Sequence, residues 1–195
     1  MMMMMRAALM LLGFLPLMAT VFIGYQLLRN GQGIVGRPPV TAGWFYFTKL
    51  CAGLIFVLLM AACLNAGFFL SLPVLLQKEI PEVQQLAAGI FLLAGNLLLL
   101  PALLEMGIFT RSGLPTTPHV LCTQGVYRLS RNPMYTSFLF FYPACFLLVP
   151  SIPLLLLMAV NLLTHHRIII REEQFLSDAF PVQYLSYKKE VARYL

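Results

Sequence analysis

Three stretches of the sequence, residues 7–28, 50–77 and 86–104, are uncharged and apolar over about the 20 residues that a helix needs to cross a bilayer. A fourth apolar stretch, 133–163, is interrupted by Val149-Pro150-Ser151-Ile152-Pro153, and two prolines that close together impose a turn. The pattern predicts an all-α integral membrane bundle of about five transmembrane segments, the last two forming a helical hairpin. The first hairpin arm is short, roughly 25 Å at the rise of an α-helix. The run at 7–28 is too long for the apolar part of a cleaved signal and is expected to stay as a span.

Composition excludes the main alternative. Of 195 residues, 60% are hydrophobic and only 10% charged, with mean hydropathy +0.84; an ordinary soluble domain carries about a quarter charged residues. The net charge of +6 does not point to nucleic acid, because the basic residues sit in short connectors and the tail, not on one face with stacking aromatics. Eleven of the 13 Lys and Arg residues fall on one side of the expected membrane; Arg6 and Lys78 fall opposite. The positive-inside rule makes the crowded side cytoplasmic and the N-terminus external. Cys51, Cys63 and Cys145 lie in apolar runs and Cys122 in the central loop, without paired or metal-ligand spacing, so no disulfide framework and no metal site is expected.

Between the third and fourth apolar stretches, polar residues are denser than a connector needs. Gly125-Val126-Tyr127-Arg128-Leu129-Ser130-Arg131-Asn132-Pro133-Met134-Tyr135 gathers cations, two tyrosines and a helix-start signal. Asn132 can cap a helix that starts at Pro133, and such a helix start suits an anion. Beyond the hairpin, the second arm is expected to run out of the membrane as one helix through Thr164, His165 and His166 to about Asp178, on the same side as the loop. Along it, Arg167, Arg171 and Gln174 share one stripe, and the adjacent Glu172 and Glu173 need neutralising by Arg171, by a basic loop or by a cationic ligand. Asn65 and Asn96, inside expected spans, read as polar ties between helices. The interval 29–49, rich in Gly and Pro, reads as an interfacial connector carrying Trp44, Tyr46 and Phe47.

Two motifs carry a resemblance. His119-Val120-Leu121-Cys122-Thr123-Gln124-Gly125-Val126-Tyr127 with Arg131-Asn132-Pro133-Met134-Tyr135, and Glu172-Glu173 followed by Phe180, Tyr184, Tyr187-Lys188-Lys189 and Val191, resemble the signatures of the isoprenylcysteine carboxyl methyltransferase and phospholipid methyltransferase superfamily. The resemblance covers about 107–195. It divides the chain into three N-terminal transmembrane helices, 1–104, and a catalytic region, 105–195. It implies an S-adenosylmethionine site built from the cytoplasmic loop and the C-terminal helix, with His119, Leu121, Gly125, Tyr127, Arg131, Asn132, Tyr135, Glu172 and Glu173 as cofactor-binding residues. Asn132 stands where the family usually has His, and Pro181 where it has Gly.

The chemistry of these residue types agrees. S-adenosylmethionine presents two cationic centres, a carboxylate and an adenine, which call for acidic groups, an N–H-rich helix start or a cation, and an aromatic slot. The expected acceptor is a lipophilic or lipidated molecule entering from the membrane, most simply a prenylcysteine-type carboxylate, which needs no general base. Arg167, with Arg171, is the expected catalytic pair on the acceptor side, matching by resemblance the arginine that precedes the paired glutamates in prenylcysteine enzymes. A phospholipid amine or a thiol as acceptor would require a base, for which His165 or His166 is available. Two other classes stay open. One is a sterol-reductase-type enzyme using NADPH, whose usual terminal Arg-Asp and Cys motif is missing here. The other is a non-enzymatic membrane protein, although no span carries a mid-membrane charge of the kind transport uses.

Overall fold

The computed structural model describes residues 2–31, 33–64, 80–107, 113–114 and 120–195. Helices α1 (Met2–Arg29), α2 (Ala42–Cys63) and α3 (Glu82–Met106) precede a 3-10 turn at Gly125–Arg128. Then come α4 (Pro133–Thr136), α5 (Phe138–Leu148), α6 (Ile152–Ala179) and α7 (Pro181–Glu190). The fold is all-helical among the described residues; the first connector is held by an isolated antiparallel bridge, Arg37 with Leu114, whose two N–H···O bonds are 2.8 Å. Helices α1, α2, α3 and α6 are long and apolar enough to cross a membrane, and the α4–α5 arm, Pro133–Leu148, is a shorter apolar helix.

Two boundaries differ from the expected ones. The interval expected as connector up to Lys49 turns helical at Ala42, so Trp44, Tyr46, Phe47 and Lys49 stand on the first turns of α2. The reason is positional: Pro38 and Pro39 precede the helix, where they end a connector and break nothing. The helix described for the second span ends at Cys63, and Asn65, Pro73 and Lys78 lie outside the described residues. At the hairpin tip, Ser151 caps α6 by accepting the Leu154 N–H at 3.4 Å, and Pro153 sits in the first turn, where its missing N–H costs nothing.

Helix α3 is the central element, packed on α1 and α5, while α2 packs on α6 and α5. Its close approach to α5 depends on Gly95: a Cβ there would lie 2.7 Å from the Phe141 ring. Asn96, 3% exposed, donates to the Leu12 carbonyl of α1 at 2.8 Å, the interhelical tie expected of it. Asn161 does the same between α6 and α2, donating to the Thr48 carbonyl at 2.8 Å and accepting from the Tyr142 hydroxyl. Such bonds are worth about 0.6 kcal/mol each in membranes, enough to set helix rotation. A second, smaller core of Ala102, Tyr127, Tyr184 and Tyr187 docks the 3-10 turn and α7 on the end of α3. That cluster positions the site.

Candidate functional site

The central loop and the C-terminal tail, 60 residues apart in sequence, are sewn together. Tyr187 of α7 donates its hydroxyl to the Tyr127 carbonyl at 2.6 Å. The extended residues after α7 cross the loop, where the Arg131 N–H bonds the Ala192 carbonyl at 2.9 Å and the Ser130 hydroxyl bonds that of Arg193 at 3.0 Å. At the other end of the loop, the Val126 N–H bonds the Glu105 carboxylate at 3.2 Å. Gly125 makes that contact possible. Its φ is +53°, and a Cβ would fall 1.6 Å from Glu105 Oε1.

Six of the sequence-derived site residues, Leu121, Tyr127, Arg131, Asn132, Tyr135 and Glu172, line one chamber of about 110 Å³, together with Met106, Leu176 and Tyr187. Glu172 accepts the Tyr135 hydroxyl at 2.9 Å. The Tyr127 hydroxyl is buried and has no hydrogen-bond partner among the described residues. Burial raises the Tyr127 phenol well above its ordinary range, so it remains a protonated donor. The chamber shares Leu121 and Tyr187 with a larger groove of about 810 Å³ between the loop and α7, lined also by Thr123, Gln124, Arg128 and Gln183.

The adjacent glutamates face different surroundings. Glu173, 4% exposed, is held by Arg131 at 3.1 Å, by Arg193 at 3.0 Å and by the Asn132 amide at 3.1 Å. It braces loop, tail and α6, and its hydrogen bond holds the Arg193 guanidinium above its ordinary pKa. Asn132 therefore does not make the side-chain cap expected of it: its amide is turned to Glu173, and its own N–H is taken by Ser130 Oγ at 3.1 Å. A carboxylate is the stronger acceptor for that amide.

Arg167 and Arg171 are not brought to the chamber; they are exposed in a separate cleft with Trp44 of α2. His165 is buried, its ring 5.3 Å from that of Tyr135 and 5.0 Å from that of Phe138. His166 is exposed and shares a 2.7 Å hydrogen bond with the Tyr194 hydroxyl. His119 lies outside the described residues, as does Arg111. Sequence reasoning did not find Glu105, Lys49 or Arg193. Lys49 lies within electrostatic reach of Glu172 and His165, from a helix that the motifs do not cover. Among the described residues, no group of His, Cys, Asp and Glu could hold a metal ion.

Residues 83–183 match the model of a protein family described as phospholipid methyltransferase, just over half of the chain. No curated protein and no solved structure matches.

Proposed function

The chain belongs to the phospholipid methyltransferase family, and from that premise we propose that it transfers a methyl group from S-adenosylmethionine to a lipophilic acceptor at the membrane face. The observation that carries this reading is the chamber itself: residues of the loop and of α6, distant in sequence, meet around a carboxylate and a buried tyrosine hydroxyl that has no partner among the described residues. The donor set fits the cofactor. Glu172 offers a carboxylate to its cationic groups, the Tyr127 hydroxyl offers a donor, and Tyr135, Met106 and Leu176 supply apolar walls. Small-molecule sites hold about 300–1,000 Å³. The chamber therefore accommodates only the reactive end, and the adjoining groove, with Gln124 and Gln183, accommodates the nucleoside.

Bound there, S-adenosylmethionine supplies an activated methyl group and leaves as S-adenosylhomocysteine. The chain's own part is to bind, to orient and to exclude water. Tyr135 holds the Glu172 carboxylate in one orientation, and the Glu173 brace keeps the loop closed against α6. For a carboxylate acceptor of the prenylcysteine type no proton has to move, so positioning and exclusion of water suffice. A second reading, a phospholipid amine as acceptor, is favoured by the family's description. The distribution of basic residues supports a cytoplasmic position for the chamber.

Calorimetric titration of the purified chain tests the cofactor. S-adenosylhomocysteine is expected to bind and NADPH not; binding of NADPH alone would transfer the chain to the reductase class.

A further inference from the structure

Between α2 and α6 lies a cleft of about 400 Å³, lined by the Pro39–Thr41 segment, Trp44, Thr164, Arg167 and Arg171. It shares no lining residue with the chamber or the groove. Arg167 and Arg171 are one helical turn apart on one face of α6, and neither forms a hydrogen bond or an ion pair with a described residue. No acidic residue lines the cleft. Two guanidinium forks side by side, with Thr41 and Thr164 beside them, suit a phosphate with its several acceptor oxygens.

The surroundings place that phosphate on a lipid. Trp44, 55% exposed, is packed edge-on against Phe47 at 5.7 Å, an aromatic pair of the kind that sits at headgroup level. Directly along α6 from Arg167, at the i−4, i−7 and i−11 positions of the same face, Leu163, Val160 and Leu156 are 69%, 40% and 62% exposed. They form an apolar track leading away from the two cations. Basic pockets between transmembrane helices recognise anionic lipid headgroups in this way.

We propose that this cleft is a second lipid site, separate from the methyl-transfer chamber, in which Arg167 and Arg171 bind the phosphate of an anionic glycerophospholipid while an acyl chain lies on Leu163, Val160 and Leu156. The proposal goes beyond the methyl-transfer reading and does not depend on it.

The test uses the full chain in neutral detergent, melted in the presence of mixed micelles. Dioleoyl phosphatidylglycerol raises the wild-type midpoint, whereas phosphatidylcholine and soluble glycerol phosphate at equal concentration do not. In Arg167→Gln/Arg171→Gln the concentration of phosphatidylglycerol needed for the rise increases about 30-fold, from the usual contribution of a basic side chain at an anionic lipid surface. Arg29→Gln, an exposed arginine outside the cleft, keeps the wild-type response. If the Gln pair does not fold, Arg167→Lys/Arg171→Lys, which keeps charge but loses the forks, shows a weakened response. Three results would overturn the proposal: an unchanged lipid response in the folded variant, an equal rise with glycerol phosphate, or an equal loss in Arg29→Gln.

Discussion

Replacing each of the neighbouring glutamates by glutamine separates a brace from a ligand group. In Glu173→Gln the carboxylate between Arg131 and Arg193 is lost, and the Arg131 side chain, 7% exposed, becomes a buried cation without its counterion. Breaking a buried pair from one side costs about 3–5 kcal/mol. The Arg193 side chain is 32% exposed, so its share is less than about 1 kcal/mol. A loss of about 3 kcal/mol lowers the melting midpoint of a chain of this size by roughly 6–12 °C. Glu172→Gln breaks no ion pair and keeps an oxygen to accept the Tyr135 hydroxyl, so its stability should change by less than about 1 kcal/mol. Its affinity for S-adenosylhomocysteine should fall about 10–100-fold, the worth of one hydrogen bond or contact to a charged group. Buried cysteines provide the melting signal: Cys51, Cys63 and Cys145 are 4%, 2% and 0% exposed and react with a fluorogenic maleimide only on unfolding. A Glu173→Gln protein that melts like wild type, or a Glu172→Gln protein that melts early with unchanged affinity, would refute this division.

Three further outcomes follow from the same geometry. Gly125→Ala should lose about 1–2 kcal/mol from the left-handed backbone alone, and Glu105→Ala should restore the part due to the clash with the Glu105 carboxylate but not the rest, as read in a double-mutant melt. Asn161→Leu should cost about 1–3 kcal/mol, because it strips the Thr48 carbonyl and the Tyr142 hydroxyl of their partner in the α2–α6 contact; a melt within error of wild type would contradict the tie. For orientation, single cysteines replacing Ile152, 50% exposed at the hairpin tip, and Ser186, exposed on α7, in a background without native cysteines should differ: an impermeant maleimide on intact cells labels the first and not the second. Labelling of Ser186→Cys would reverse the orientation.

The helices were legible because lipid leaves few choices: long uncharged runs such as 86–104 become spans, and Glu82–Met106 contains that run entire. The start of α2 was not, since the rule that Pro and Gly break helices does not say whether Pro38 and Pro39 stand inside a helix or just ahead of one. The convergence of loop and tail came from paired motifs and not from periodicity. What no local pattern carries is the identity of long-range partners. Glu173 meets Arg131 and Arg193 across 42 and 20 positions, and Val126 meets Glu105 across 21, so the brace and the Gly125 constraint emerge only in three dimensions. Helical spacing grouped Arg167 with Arg171 correctly, but it could not say which cavity their face lines.

Methyl transfer itself is measured most directly in membranes containing the chain, supplied with S-adenosylmethionine labelled on the methyl group. The label should enter the organic-soluble fraction with the wild type and fall to background with Glu172→Gln. Mild base should then release it as volatile methanol if the acceptor is a carboxylate, whereas label on an amine stays in the lipid. Membranes that give no label above a strain lacking the chain, or a Glu172→Gln variant that transfers as well as wild type, would contradict the assignment of the chamber.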